Sequence, residues 1–380
     1  MPALLVLIYL AFISLGLPDG LLGVAWPAMR QDLLQPLAAV GLISATVTIS
    51  AALSAHFCAP LLRWLGTGRV VASSGLLTGL ALLAWSQSPS LALLVLAAVP
   101  LGVGAGTVDV ALNHFVAEHY PARHMNWLHA CWGVGATSGP LIMGLSLALP
   151  QGWRLGILHI AGLQLLLAAL LWWQLKLWAH APNVAASEQA AAAEAARTRH
   201  PHARWLAPLG FFLYVGAEMG TGLWAASVLV GARGLDKASA SAWVSVYFGA
   251  ITLGRVLVGV LAARLSNRAW IRLGLGVAST GALLFASGVP GLSLLGLPLM
   301  GLGCAPIFPS MMHETARRFA APDVVRMISR QMLASYAAGA LLPAALGLWA
   351  TWAGLQAVMP LVLVCLLALA LVMVRLDRLS

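Results

Sequence analysis

The sequence predicts an all-α membrane protein in which twelve transmembrane helices form two pseudo-symmetric six-helix bundles. Three observations predict this fold. The chain has 380 residues, of which 61% are hydrophobic and 8% are charged, whereas soluble domains carry about 25% charged residues. Its mean hydropathy is +0.91. Its apolar runs are long enough for helices that cross a bilayer, each of which takes about 20 residues. Together these features exclude a soluble globular protein and a disordered chain.

Apolar runs separated by turn signals divide the chain into segments of helical length. Transmembrane strands would be about 9–11 residues long with alternating polarity, and these runs are longer and apolar on all sides. The first run, Met1 to Leu15, has neither a basic n-region nor a small-x-small cleavage site, so we interpret it as a retained helix. The predicted helices are 3–28, 37–62, 69–87, 90–117, 126–149, 155–178, 206–231, 240–263, 270–288, 291–316, 326–350 and 354–375.

A polar, alanine-rich stretch separates the first six predicted helices from the last six. We therefore predict an N-terminal six-helix bundle over residues 1–179, a cytoplasmic linker over 180–205 and a C-terminal six-helix bundle over 206–380. The halves repeat weakly at a spacing of about 200 residues, which is typical of transporters that move two halves around a site near the membrane midplane.

The basic residues fall mostly on one side of the predicted membrane. The formal net charge is +10, and with the N-terminus inside, 16 of the 21 Lys and Arg residues lie in cytoplasmic segments or at cytoplasmic helix ends. Cytoplasmic loops of membrane proteins carry an excess of Lys and Arg. We therefore predict an integral protein of the bacterial inner membrane with both termini in the cytoplasm. The same bias explains the net charge without a nucleic-acid partner.

Neither the cysteines nor the histidines are spaced as metal ligands. The four cysteines lie far apart without a CxxC pair. Histidines recur every fifth residue from His114 to His129, rather than at the i, i+4 spacing of helical metal ligands. We predict no metal and no other cofactor. No Ser/His/Asp set with catalytic spacing is visible, so we do not expect an enzyme.

Acidic residues within the predicted helices are the first candidates for function. A charge at the bilayer centre costs roughly 3 kcal/mol, and such residues usually face a cavity and act on ions or substrate. The alternative is a pair with a basic residue, but Arg255 is the one basic residue predicted deep inside a helix. One cation cannot neutralise all of these acids, so the others are candidates for protonation. The predicted proton-coupling residues are Asp19, Asp109 and Glu218.

A fourth acidic residue is predicted to act at a gate. Glu314 is close in sequence to Arg317 and Arg318, which favours a salt bridge at the cytoplasmic end of predicted helix 10. Basic residues also follow predicted helices 2 and 8. The predicted gating residues are Arg63, Arg69, Arg264 and Glu314.

Polar and aromatic side chains in the same helices suggest a hydroxylated solute. Asp109 and Asn113 are spaced i, i+4 and therefore share a helix face. A carboxylate that accepts beside an amide that donates and accepts suits a ligand rich in hydroxyl groups. The alternative, an interhelical hydrogen bond, stabilises by only about 0.6 kcal/mol on average. The predicted substrate-binding residues are Asp19, Trp26, Asp109, Asn113, His129, Trp132, Trp243, Tyr247 and Gln331.

Several of these residues keep a structural alternative. His129 could bind solute or titrate, but a histidine within a helix can also be a satisfied structural donor. Trp243 and Tyr247, spaced i, i+4, could form an aromatic wall for a sugar or pack against lipid and a neighbouring helix. Prolines are expected to interrupt predicted helices 1 and 10 and to free backbone carbonyls beside a cavity. These prolines are Pro18, Pro306 and Pro309.

Two motifs carry a resemblance to a known family. The loop after predicted helix 2 reads APLLRWLGTGRV and is similar to the short Gly-Asp-Arg-Gly-Arg/Lys signature of the major facilitator superfamily. Arg63 stands where an acidic residue is common in that signature. The partner segment in the second half is GRVLVGVLAARLSNR. The resemblance implies twelve helices in two halves and transport by alternating access.

Two further stretches resemble the fucose-permease group of sugar–proton symporters. They read GLPDGLLGVAWP and DVALNHFVAEHYPARHMNWLHACWGVGATSGP. In that group an acidic residue in helix 1, with an acidic residue and an asparagine in helix 4, carries substrate and proton. The matching positions here are Asp19, Asp109 and Asn113.

We therefore expect a secondary active transporter that couples a proton to symport of a sugar or related polyhydroxylated solute. The alternative is a proton-coupled antiporter that exports drugs or metabolites, and the polar interior of predicted helices 4 and 5 favours the symporter. A membrane enzyme and a non-transporting receptor are alternatives from other classes. The expected partners are the solute, a proton or sodium ion and the lipid bilayer, and the expected state is a monomer.

Overall fold

A computed structural model of the protein describes residues 2–120, 122–180, 202–261, 264–289, 291–319 and 321–379. Within this part of the chain, twelve helices are long and apolar enough to cross a membrane. The predictions of an all-α fold and of twelve spans are confirmed, and the protein is an integral membrane protein. Most of the predicted linker lies outside the described residues.

The helices begin and end close to the predicted bounds. The first half contains α1 (Pro2–Gly16), α2 (Leu21–Asp32), α3 (Ala39–His56), α4 (Cys58–Leu65), α5 (Thr67–Ser86), α6 (Leu91–His119), α7 (Ala122–Leu147) and α8 (Gly152–Trp173). The second half contains α9 (Ala203–Arg233), α10 (Lys237–Leu261), α11 (Asn267–Ser287), α12 (Leu292–Cys304), α13 (Ile307–Arg318), α14 (Ala321–Ala353) and α15 (Val358–Leu379).

Contacts between Cα atoms divide the chain into two compact units. Unit one extends to Glu188 and includes the segment Leu235–Ser245. In it α1 packs on α7, α3 on α6, and α5 on both α6 and α8. Unit two contains Gln189–Gly234 and Val246–Ser380. In it α9 packs on α14 and α15, and α11 packs on α12 and α15. The predicted domain boundaries stay a prediction.

Both predicted interruptions are confirmed. The first membrane span breaks between α1 and α2, and Pro18 lies in the break. Proline has no N–H and therefore cannot donate to the carbonyl four residues earlier, which here belongs to Ser14. The amide of the buried Gln164 on α8 donates to this carbonyl at 2.7 Å, and the Ser14 hydroxyl donates to the Gln164 side-chain oxygen. A side chain from another helix thus replaces the missing helical donor.

The break between α12 and α13 is also stabilised by a hydrogen bond from a side chain of another helix. It contains Pro306, and Pro309 lies in the first turn of α13. The hydroxyl of Tyr214 on α9 donates at 2.9 Å to the carbonyl of Cys304, the last residue of α12. Because a bilayer offers no water to an exposed carbonyl, such side chains make a broken helix tolerable there.

A third break differs from the sequence prediction. A continuous helix over 37–62 was expected, but α3 ends at His56 and α4 begins at Cys58. The physical reason is Pro60, which cannot donate to the carbonyl of His56 and would clash with it. The apolar run continues through this point, so its length concealed the break.

Glycines let α1 and α7 approach until their backbones touch. A Cβ atom added at Gly135 would lie 1.9 Å from the Ile13 carbonyl oxygen, and one added at Gly139 would lie 2.1 Å from that of Leu17. A Cβ at Gly16 would lie 2.1 Å from the Trp132 carbonyl oxygen. Small residues at such crossings permit the closest helix packing in membranes. This crossing brings the α1–α2 break beside α7.

We expect Gly135→Ala to lower the free energy of unfolding by about 1–3 kcal/mol, because the added methyl group overpacks the crossing. Gly162→Ala on α8 is the matched control, since a Cβ there meets nothing within 4 Å. Denaturant unfolding of the purified protein in detergent measures both. Equal stability of the two variants would contradict the close crossing.

Candidate functional site

In unit one, the structure joins Asp19 to Trp132. Asp19 lies in the break between α1 and α2, where its backbone N–H donates to the Gly16 carbonyl at 3.1 Å. The indole Nε1 of Trp132 on α7 donates to Asp19 Oδ2 at 2.6 Å. Hydrogen bonds to an ionised acceptor are stronger than those between neutral groups. Asp19 remains exposed and Trp132 is half-buried, so both side chains have accessible surface.

Asp109 and Asn113 form a second polar pair, one turn apart on α6. Asn113 Nδ2 donates at 2.9 Å to both the side-chain oxygen Oδ1 and the backbone oxygen of Asp109. Both side chains are half-buried. In the part of the chain that the structure describes, no cation forms an ion pair with Asp109. The pair lies within the membrane span Leu91–Val116.

One apolar core fixes the helices that carry these groups. It includes Phe12 of α1, Leu112 and Phe115 of α6 and Leu128 of α7, and Trp132 packs against it. The exposed ring of His129 lies edge-on to Phe12, with ring centroids 5.7 Å apart. The structure therefore places a set of predicted residues on α6, on α7 and in the break between α1 and α2. They are Asp19, Asp109, Asn113, His129 and Trp132.

Trp26 serves a different purpose in this structure. Its ring is 0% exposed, and its Nε1 donates to the Leu37 carbonyl at 3.0 Å, which ties α2 to the segment before α3. An enclosed ring cannot stack on a solute. The expected substrate contact of Trp26 is therefore corrected to a structural one in this conformation.

In unit two, Glu218 on α9 is paired with Arg255 on α10. The distance from Arg255 Nη2 to Glu218 Oε1 is 3.2 Å, and the side chains are 20% and 6% exposed. The hydroxyl of Tyr247 donates to the Glu218 carbonyl at 3.1 Å. Arg255 thus neutralises Glu218, a pairing that the sequence did not predict.

Of the remaining predicted substrate residues, Tyr247 and Gln331 lie in unit two and Trp243 lies in unit one. Tyr247 is 0% exposed and contacts Phe248 at a centroid distance of 5.2 Å, so the expected aromatic wall is not formed here by its ring. Trp243, half-buried, belongs to unit one. Gln331 is buried and its Nε2 donates to the Thr315 hydroxyl at 2.9 Å. Tyr247 and Gln331 therefore act as internal contacts of unit two in this conformation.

Glu314 belongs to a larger ionic cluster than the sequence predicted. It lies 3.6 Å from Arg318 and 3.7 Å from Arg317, the expected neighbours, but its shortest contact is with Arg268 of α11, at 3.2 Å. Arg318 also contacts Asp377 of α15 at 2.6 Å. Arg268 and Asp377 are distant in sequence from Glu314, which is why local spacing did not reveal them.

The other predicted gating residues lie at the surface. Arg63 is near the end of α4 and Arg69 near the start of α5, on either side of a turn made by Gly66, which has φ +78°. Arg264 follows α10. All three are exposed, and none forms an ion pair with a residue that the structure describes.

We expect Arg255→Gln to lower the free energy of unfolding by about 3–5 kcal/mol, because it leaves a buried carboxylate without its cation. The double variant Glu218→Gln/Arg255→Gln should recover most of this loss. Arg264→Gln, at an exposed position, should change stability by less than about 0.5 kcal/mol. Unfolding in detergent measures all three, and a double variant as unstable as the single one would rule out a dominant ion pair.

Comparison with known proteins agrees with this architecture. The crystal structure of a bacterial homolog of the human lysosomal transporter Spinster, in an inward-facing and occupied conformation, has a TM-score of 0.78 at 14% identity, covering 100% of this chain and 97% of that one. The nucleoside transporter NupG has a TM-score of 0.74 at 16% identity, covering 98% of each chain. At these identities the similarity shows the fold alone. No curated protein matches the sequence.

The family itself is shown by sequence. The model of the Major Facilitator Superfamily matches residues 8–225, more than half of the chain. This range contains both polar pairs of unit one and reaches into α9. The chain belongs to the major facilitator superfamily of membrane transporters.

Proposed function

We propose that this protein is a secondary active transporter that moves a sugar or related polyhydroxylated solute together with a proton by alternating access. The observation that carries the proposal is the Asp109–Asn113 pair inside a membrane span, a carboxylate and an amide with which no cation among the described residues forms an ion pair. Polar groups at such a position are costly and usually act on a solute or an ion. The resemblance of predicted helices 1, 4 and 5 to the fucose-permease group supports the same assignment.

The solute is assigned to polar side chains of α6, of α7 and of the break between α1 and α2. The carboxylates of Asp19 and Asp109 accept hydrogen bonds from hydroxyl groups, and the side-chain oxygen of Asn113 adds another acceptor. Trp132 offers an aromatic surface beside Asp19, and its indole is already oriented by a hydrogen bond of 2.6 Å. His129, exposed next to Phe12, completes the proposed set.

The proton is assigned to Asp109 by comparing the surroundings of the three candidate acids. Glu218 is held by Arg255 at 3.2 Å, and a fixed cation favours a permanent charge. Asp19 accepts from an indole N–H at 2.6 Å. Asp109 bonds to a neutral amide at 2.9 Å, so neutralisation by a proton would remove an uncompensated charge from the membrane interior. Glu218 is then an element of structure rather than the carrier.

The topology follows from the charge bias. We assign the protein to the bacterial inner membrane as a monomer with both termini in the cytoplasm, since Lys and Arg mark cytoplasmic loops. The same assignment puts Arg63, Arg69, Arg264 and Glu314 at the cytoplasmic side, where they would act in gating.

The solute class is tested by thermal unfolding of the purified protein with monosaccharides, sugar alcohols, nucleosides and hydrophobic cations, at two pH values and with and without sodium. Nucleosides are included because their ribose carries hydroxyl groups. A ligand at 100 times its dissociation constant stabilises by about 2.7 kcal/mol, so one hydroxylated class should raise the melting temperature of the wild type but not of Asn113→Leu. Stabilisation by hydrophobic cations alone would favour the drug exporter instead.

The proton assignment is tested by Asp109→Asn in proteoliposomes, with the hydroxylated solute that the unfolding screen identifies. One proton moving through 100 mV supplies about 2.3 kcal/mol, which supports roughly 50-fold accumulation. We expect Asp109→Asn to lose this accumulation but to retain counterflow of labelled solute. Asp19→Asn should instead keep proton-driven accumulation but weaken solute binding, because it loses the charged acceptor that orients the Trp132 indole.

Asp236→Asn is the matched control for the transport experiment. Asp236 lies between two membrane spans, and hydrogen bonds from the Ser239 side chain and backbone hold the pKa of its carboxyl group below its usual range. It therefore stays ionised near neutral pH, and its loss should change neither accumulation nor its pH dependence. Intact proton-driven uptake in the double variant Asp19→Asn/Asp109→Asn would overturn the assignment.

A further inference from the structure

An open groove runs along the outward face of α11, in unit two. It is lined by Arg272, Leu273, Gly276, Val277 and Thr280 of α11 and by Leu299 of α12, and its volume is about 380 Å³. The α11 residues follow one another at helical spacing, so the groove runs parallel to the helix axis. It lies in the membrane span Asn267–Ser287, and its walls therefore face lipid.

Gly276, which has no side chain, forms the floor of the groove. A Cβ atom built at Gly276 meets nothing within 4 Å, so this glycine leaves space that no protein atom fills. The Thr280 hydroxyl donates to the Gly276 carbonyl at 2.9 Å, so Thr280 adds no unsatisfied donor to the apolar part of the groove. An apolar chain can therefore lie in it at no cost in hydrogen bonds.

The length of the groove suits one lipid leaflet. Eight residues separate Arg272 from Thr280, which corresponds to about 12 Å along a helix. Half of a hydrocarbon core of about 30 Å is about 15 Å. The groove therefore accommodates most of one acyl chain, with Arg272 at the end nearer the membrane surface.

The charge at that end favours an anion. The side chain of Arg272 is 64% exposed although one of its nitrogens contacts Asp377 at 2.8 Å. The neighbouring ends of α11, α13 and α15 carry six arginines and two acids, which leaves a formal excess of four positive charges. A guanidinium binds phosphate through two parallel hydrogen bonds, and basic pockets between membrane helices bind anionic head groups.

We propose that this groove binds an anionic phospholipid, with its phosphate on Arg272 and one acyl chain along Gly276. The occupant is a lipid rather than a soluble phosphate because the apolar part of the groove continues from the arginine into the membrane span. The site is separate from the residues assigned to solute and proton, so it does not depend on the proposed transport activity.

The test uses the full-length protein in phosphatidylcholine nanodiscs that contain a trace of phosphatidylglycerol with a photoactivatable diazirine in its acyl chain. Cross-linked peptides are mapped by mass spectrometry. We expect labelling to concentrate on residues 272–280 and to fall several-fold in Gly276→Leu, which fills the groove. Gly259→Leu on α10 is the matched control, because a Cβ there also meets nothing within 4 Å, and it should label like the wild type.

The charge contribution is tested with a phosphatidylcholine probe that carries the same diazirine. Arg272→Gln should reduce phosphatidylglycerol labelling to the level of this neutral probe, and Arg272→Lys should keep part of the preference. Labelling spread evenly over the lipid-facing helices, or unchanged by Gly276→Leu, would overturn the site. Equal labelling of wild-type α11 by both probes would overturn the anionic selectivity. The Gly276 variant leaves the Arg272–Asp377 contact in place, so it remains informative if Arg272→Gln is poorly folded.

Discussion

Every peptide group inside a bilayer must find its hydrogen-bond partner within the protein, because lipid supplies none. A broken helix violates this condition, and the described part of the chain contains two such breaks within single membrane spans. Gln164 donates to the carbonyl that Pro18 leaves without a donor, and Tyr214 donates to the last carbonyl of α12. Gln164 thereby allows Asp19 to lie in a turn within the first membrane span rather than on a continuous helix.

The acidic groups within the membrane spans also need partners within the protein. Glu218 has a cation, Glu314 has several, and Asp109 has a neutral amide. An acid that forms a salt bridge helps to hold helices together. A carboxyl group with no cation beside it can instead gain or lose a proton without breaking a salt bridge. The functional distinction that we propose among these acids therefore rests on what lies beside each of them rather than on their burial.

Much of the fold follows from local information. A span needs about 20 apolar residues, so run length alone predicts twelve helices, and Pro18 and Pro306 predict two of the interruptions. The sequence also predicts the Asp109–Asn113 pair, because residues spaced i, i+4 share one face of a helix. Pro60 shows the limit of this reasoning, since the apolar run around it concealed a break between α3 and α4.

The contacts of the site were predicted less completely, because they join residues that only packing brings together. Asp19 and Trp132 were each identified by type, but they are 113 residues apart and meet through the glycine crossing of α1 and α7. Arg255 and Glu218 are 37 residues apart. For Trp26 and Tyr247, residue type suggested exposed aromatic rings, whereas packing enclosed both.

The ionic cluster around Asp377 has two layers that differ in their contact with water. Arg272 and Arg317 expose 64% and 66% of their side chains, whereas Arg318 and Glu314 expose 3% and 4%. Mobile ions screen exposed charges over about 8 Å at physiological ionic strength, and buried pairs much less. Concentrated salt, as used to purify membrane proteins, therefore loosens the outer arginines first while the inner pairs hold the ends of α13 and α15 together.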